Sequence, residues 1–177
     1  MKEHELHNYK LVLQYEGIRY NGWQKQKNQE NTIQEVVENA VFDGTGERVE
    51  VIGSGRTDAG THAMGQVANV KLGQDLEPER LMDNINKHLP SDIKILECEK
   101  VDNRFHARLN AKAKTYMYTL CVGKKPDVFN RRTVLHYCAD LDVNAMKKAA
   151  EYLKGEHDFM SFCSNKRTKK STVRKIY

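Results

Sequence analysis

Asp58 and Arg56 stand two residues apart in Gly53-Ser54-Gly55-Arg56-Thr57-Asp58-Ala59-Gly60-Thr61-His62-Ala63, where glycines and small residues surround one acid and one base. Glycine lacks the Cβ that forbids most of backbone space, so this composition predicts a tight loop that a ligand can approach closely. A carboxylate at the apex of such a loop can act as a nucleophile that forms a covalent intermediate. A guanidinium beside it can keep it ionised or engage a phosphate or a base. The same string also fits an Asx-type turn, in which Thr57 and Asp58 satisfy only local backbone N–H groups. A phosphate cradle fits less well, because Gly53-Ser54-Gly55 lacks both the G-x-x-x-x-G-K-[ST] lysine and the G-x-G-x-x-G spacing.

The elements that must position this loop follow from periodicity and punctuation. Residues 9–15 alternate, with Tyr9, Leu11, Leu13 and Tyr15 on one side, as a half-buried strand does. Thr32 with Glu35 three residues on forms a capping-box pattern, so a helix is expected over residues 33–42 with Ile33, Val36, Val37, Ala40 and Val41 inward. Val49, Val51 and Ile52 predict a short strand running into the Asp58 loop. Residues 66–72 alternate again, with Val67, Asn69 and Lys71 opposite Ala68, Val70 and Leu72. Pro78 opens a second helix carrying Leu81, Met82, Ile85 and Leu89, and Pro90 stops it. Strands are expected over residues 93–101 and 115–122, and more weakly over 133–138. Asp142 caps a third helix over residues 143–153, which Gly155 ends. This order describes an α+β sheet with helices on one face.

Charge is unevenly distributed along the 177 residues, whose overall net is +5. Residues 1–103 carry a net of −6, residues 104–132 a net of +7, residues 133–163 a net of −2 and residues 164–177 a net of +6. The first basic block comprises Arg104, Arg108, Lys112, Lys114, Lys124, Lys125, Arg131 and Arg132; the second comprises Lys166, Arg167, Lys169, Lys170, Arg174 and Lys175. Such blocks suit a polyanion, of which an RNA backbone is the simplest, or a solvated face or tail. Cys98, Cys121, Cys138 and Cys163 stand far apart without a C-x-x-C pair, and His62, His106, His136 and His157 lack ligand spacing, so no metal is expected. A reduced cytoplasmic setting follows from the cysteines. No apolar run approaches 18 residues and no charged-then-apolar leader opens the chain, so neither a membrane span nor a signal peptide is expected.

Taken whole, the Asp58 string resembles the G-R-T-D-A-G-V-H-A signature of the TruA-type tRNA pseudouridine synthase family, with Thr61 at a position that is often Val. Three further blocks resemble that family in order. They are the strand at residues 9–20 followed by Asn21-Gly22-Trp23-Gln24 and Thr32-Ile33-Gln34-Glu35, then Arg104-Phe105-His106-Ala107-Arg108 with Lys112-Ala113-Lys114-Thr115-Tyr116-Met117-Tyr118, and finally Gly155-Glu156-His157-Asp158-Phe159 with Ser161-Phe162. The resemblance implies an α+β chain with a ferredoxin-like (β-α-β-β-α-β) half plus the start of a second such half, forming one antiparallel sheet with helices on one face. The expected organisation is a disordered N-terminus over 1–8, a ferredoxin-like catalytic-loop domain over 9–103, and an incomplete RNA-binding and catalytic domain over 104–177.

The activity implied is isomerisation of uridine to pseudouridine in the tRNA anticodon stem-loop, by base flipping and without a cofactor, on a homodimer. Asp58 is then the nucleophile or base. Arg56 fills the position the uridine vacates, and Tyr116 stacks on the flipped uracil and helps remove its C5 proton, unless it is a sheet-face tyrosine like Tyr118. Arg104, Arg108, Lys112 and Lys114 are the implied RNA contacts. His62 and Gln66 read better as hydrogen-bonding residues that order the loop, and Trp23 as packing beneath it. His157-Asp158-Phe159 reads better as a helix-to-strand turn than as a catalytic dyad. Family chains continue past Tyr177 into closing strands and an arginine that pairs with the aspartate, so a fragmentary member is expected here, with a non-catalytic RNA-binding module as the alternative. Residues 171–177 would then be an edge strand open to pairing.

Overall fold

The computed structural model describes residues 5–28, 30–123, 125, 127–163 and 171–177. The chain forms two compact units, Met1–Met117 and Tyr118–Tyr177. In the first, strand β1 (His7–Tyr15) is followed by a 3-10 turn (Gly17–Arg19), α1 (Ile33–Thr45), β2 (Ile52–Gly53), β3 (Ala63–Leu72), α2 (Pro78–Asn86) and β4 (Ile93–Val101). The sheet order is β2-β3-β1-β4 with every pair antiparallel, which is the ferredoxin-like arrangement.

The alternation read from the sequence sets the two faces of this sheet. Tyr9, Leu11, Leu13 and Tyr15 from β1 and Ala68, Val70 and Leu72 from β3 are all buried, packed with Ile33, Val37 and Val41 of α1 and Leu81 and Ile85 of α2. Each fully buried aliphatic side chain contributes roughly 1.5–3 kcal/mol, so this helix-covered face dominates the stability of the unit. The register of β1 shifts against β3 between Leu13 and Tyr15, and against β4 between Val12 and Leu13. Such irregularities bend a strand, and both fall at the end of β1 that leads toward the Asp58 loop.

Helix α1 starts where the capping box placed it. The Thr32 side chain accepts from Glu35 N–H at 3.4 Å, while the Glu35 carboxylate reaches back to Asn31 N–H at 3.2 Å, one residue before the usual partner. The helix runs three residues past the expected 42, to Thr45, and Gly46 closes it at φ +78° with its N–H on the Phe42 carbonyl. Helix α2 stops at Asn86, short of Leu89, because the chain tightens there into a His88 N–H to Ile85 carbonyl turn.

Two boundaries differ from the sequence expectation, for one physical reason. Strand β1 begins at His7, inside the span expected to be a disordered N-terminus, and Asn8 is 1% exposed. The first unit also extends beyond 103 to Met117. The Asn8 amide donates to the carbonyls of Asp102 and Phe105, each at 2.9 Å, so the chain start and the segment after β4 are bound together.

The second unit contains β5 (Leu120–Val122), β6 (Leu135–Tyr137), α3 (Val143–Glu151), β7 (Gly155–Asp158), a 3-10 turn (Met160–Phe162) and β8 (Val173–Ile176). Strands β5 and β6 pair in parallel and β7 and β8 antiparallel, so the described ladders are one four-stranded and two two-stranded sheets. The strand expected over 115–122 is regular only from Leu120, since β6 supplies partners only for Leu120, Cys121 and Val122. Asp142 caps α3 through a 2.9 Å bond from Ala145 N–H, as expected. Helix α3 ends at Glu151, and Gly155, at φ +95°, opens β7 instead of closing the helix.

Candidate active site

The Asp58 loop leaves β2 and is clamped by the segment that follows β1. Trp23 N–H donates to the Thr57 carbonyl at 2.9 Å, Gly60 N–H to the Tyr20 carbonyl at 3.3 Å, and Thr61 N–H to the Asp58 carbonyl at 3.1 Å. The Thr61–Asp58 bond closes a backbone turn inside the loop, and Asp58 itself stays exposed. The Tyr15 hydroxyl and Thr57 Oγ1 are bonded at 2.9 Å, tying the residue before Asp58 to the end of β1. Gln66 Nε2 donates to the Gly55 carbonyl at 2.6 Å and Ser54 Oγ to Gln66 Oε1 at 3.3 Å, so Gln66 orders the loop.

Close approach explains two of the glycines. A Cβ on Gly17 would stand 2.0 Å from the Thr61 carbonyl oxygen, and one on Gly53 would stand 2.5 Å from the Trp23 ring. Trp23, 1% exposed, packs beneath the loop with its ring 6.2 Å from that of Tyr15. Burial pushes the Tyr15 phenol above its ordinary range, the Thr57 bond opposes the shift, and nearby Tyr116 adds to it. Burial and then the Asp92 carboxylate, which accepts from the Tyr20 hydroxyl at 2.6 Å, raise Tyr20 strongly.

Among the expected site residues, Arg56 is exposed on the same loop as Asp58. The Lys114 ammonium lies over Gly55, 3.0 Å from where a Cβ would be, which brings that cation to the loop. Tyr116 is 74% exposed and precedes β5, close enough to act on Tyr15 electrostatically. Arg108 and His106 line a cleft with Trp23, Val51 and Gly53, next to the loop. Arg104 and Lys112 are exposed on the segment that carries Arg108. In the second basic block, Arg174 and Lys175 lie exposed on β8, whereas Lys166, Arg167, Lys169 and Lys170 lie outside the described residues, as does Lys124 of the first. His157 Nε2 is 2.7 Å from the Lys154 carbonyl, and Asp158 accepts from Met160 N–H at 3.0 Å and from the Thr172 hydroxyl, so both serve a local turn.

Sequence reading missed Gly17, Tyr15 and Tyr20 as residues that hold the loop. Asn21-Gly22 marks a turn in the sequence, and Gly22 adopts φ +81° against the Thr57 carbonyl, but that pair does not point to Tyr15, Gly17 or Tyr20. Among the described residues no group of three or more His, Cys, Asp or Glu side chains is placed to hold a metal ion. No helix among them is long and apolar enough to cross a membrane.

The first unit is thus a ferredoxin-like sheet that presents an exposed aspartate on a clamped glycine loop, with Arg56 on that loop and the Lys114 ammonium over Gly55. The family model described as tRNA pseudouridine synthase matches residues 11–110 and 149–177. "tRNA pseudouridine synthase A 2" of Bacillus cereus is 44% identical over 172 residues, covering 97% of this chain and 70% of that protein. "tRNA pseudouridine synthase A" of Bacillus sp. (strain KSM-64) is 45% identical over 172 residues, and its counterpart in Acetivibrio thermocellus 42% identical over 171, with the same coverage. The chain belongs to the tRNA pseudouridine synthase family and is, with it, an isomerase.

Proposed function

We propose that this chain converts uridine to pseudouridine in the anticodon stem-loop of tRNA, with Asp58 as the nucleophile. The observation that carries this reading is the loop itself. Its backbone is fixed through Trp23, Tyr20 and the Tyr15–Thr57 bond, while the carboxylate it presents remains open to a ligand. Fixing the loop beforehand lowers the entropic cost of bringing a nucleophile to its target.

A uridine stacked in a stem must first be flipped out, at a cost of a few kcal/mol. Arg56, exposed beside Asp58, is suited to fill the gap it leaves, and exposed Tyr116 to stack on the uracil. The Asp58 carboxylate then forms a transient covalent bond to the nucleoside while the N1–C1′ bond breaks. The uracil turns, C5 bonds to C1′, the carboxylate is released, the C5 proton leaves and N1 gains one. Atoms balance without redox change, so the chemistry asks for no cofactor. Lys114, Arg108, Arg104 and Lys112 would hold the phosphates. A homodimer in the cytoplasm is the assembly and setting this reading adopts; the four free cysteines fit a reducing compartment.

Incubating the chain and its Asp58→Ala variant with unmodified tRNA, followed by digestion and nucleoside chromatography, tests the reading. Pseudouridine formation by the unaltered chain, lost in the variant, is expected. Conversion that survives Asp58→Ala would overturn the assignment of the nucleophile.

A further inference from the structure

The sheet face opposite the helices carries two asparagines, each 1% exposed, for which the proposed reaction has no use. Asn8 on β1 and Asn69 on β3 lie diagonally across one ladder, since Asn8 pairs with Lys71 and Lys10 with Asn69. Each of their side-chain N and O atoms has a partner. Asn69 Nδ2 donates to Asn8 Oδ1 at 3.1 Å, and both hydrogens of Asn8 Nδ2 are directed to the Asp102 and Phe105 carbonyls. Asn69 Oδ1 accepts from Ala107 N–H at 2.9 Å, and Ala107 is 2% exposed. Lys71 Nζ adds a 2.8 Å bond to the Asn103 carbonyl. The Asn69–Asn8 bond joins the pair, and the other four hold residues 102–107, which belong to no helix or strand. That segment carries Arg104 and leads into Arg108, which shares a cleft with Trp23 and Gly53 beneath the Asp58 loop.

Buried amides cost free energy unless every bond is made, and a fully satisfied network fixes one arrangement where apolar packing would tolerate several. We propose that Asn8 and Asn69 are positioning residues for RNA binding: they staple residues 102–107 to the sheet so that Arg104 and Arg108 meet the phosphate backbone at a fixed place. The inference rests on the tRNA reading above. Neither asparagine touches RNA; both act through the arginines.

The test measures binding of a transcribed, unmodified tRNA as a function of salt. Replacing a neutral residue does not by itself change the number of counterions released. A reduced salt slope in Asn69→Ala would therefore report that other residues neutralise fewer phosphates, at about 0.7–0.9 per phosphate. We expect Asn69→Ala and Asn8→Ala to weaken binding about tenfold and to lower the slope of log Kd against log salt by about one to two, as Arg104→Ala/Arg108→Ala should. On that double-arginine background Asn69→Ala should then add less than about twofold, because coupled residues are not additive. A folded Asn69→Ala protein with the parental Kd and slope overturns the proposal, and so does full additivity with the arginine changes. Hydrogen exchange of the unaltered chain tests the staple without RNA and without a variant that must fold. The Ala107 amide should be protected like those of β1, and exchange as fast as at exposed residues 109–116 overturns the proposal. Protection at Ala107 without any tRNA binding would instead overturn the tRNA reading while leaving the staple itself in place.

Discussion

Asp58 sits on a loop whose geometry depends on residues outside it, Tyr15, Gly17, Tyr20 and Trp23. Tyr15→Phe removes one hydroxyl and its 2.9 Å bond to Thr57, a loss of about 1 kcal/mol of stability. Because that bond steadies the residue next to the proposed nucleophile, we expect kcat to fall several-fold with KM little changed, measured by single-turnover and steady-state assays on tRNA. Gly17→Ala is a harsher change, since the new methyl would enter the Thr61 carbonyl and the backbone there has to shift. It should abolish turnover and lower Tm, checked by nucleoside chromatography and thermal melting. The tight loop that carries Asp58 and Arg56 was legible because glycines crowd a short stretch around two ionisable residues. Tyr15 was not, because its hydroxyl finds its partner 42 residues on, and one chain read in order gives no sign of that meeting.

At the scale of elements, α1 shows what a local signal can specify. The Thr32 cap and the inward Ile33, Val37 and Val41 follow from neighbours in sequence, whereas the end at Thr45, closed by Gly46, lies three residues beyond the expected one. Thr32→Ala should cost about 1 kcal/mol, read as a lowered urea midpoint with unchanged slope. Strand β4 was legible to the residue, Ile93–Val101, as the apolar run that follows the Pro90 break. The run 115–119 was not, because alternation states that a segment can pair without stating whether a partner is beside it. Tyrosines bind the elements at longer range, and they give the fold a pH dependence. Tyr9, Tyr15 and Tyr20 are each raised above the ordinary 10.0 of a phenol, chiefly by burial. Below that value both folded and unfolded chains keep these protons, and the contribution is fully present. Above it the unfolded chain gives them up while the folded chain retains them, so stability falls as pH rises. Urea unfolding should be flat from pH 7 to 9 and decline above about 10, and Tyr20→Phe should make the decline shallower.

For the whole molecule, the two units differ in how much they bury. Among the described residues Met1–Met117 holds the entire buried core, whereas α3 in Tyr118–Tyr177 has no buried residue. Local opening costs little where few apolar neighbours must separate. We expect the amides of α3 to exchange orders of magnitude faster than those of α1 and β1, measured by hydrogen exchange with mass spectrometry. Equal protection in α3 and α1 would show that α3 is covered in solution.

The order of the sheet sets a timetable for synthesis. Strand β1, the first of the four to leave the ribosome, lies inside the sheet with β3 on one side and β4 on the other. Its partners are residues 63–72 and 93–101, so an apolar ribbon carrying Tyr9, Leu11, Leu13 and Tyr15 stays unpaired until most of the unit has been translated. Pairings that distant fold slowly and leave sticky edges exposed meanwhile. Nascent chains paused before residue 93 should therefore recruit holding chaperones, and release them once β4 has cleared the exit tunnel.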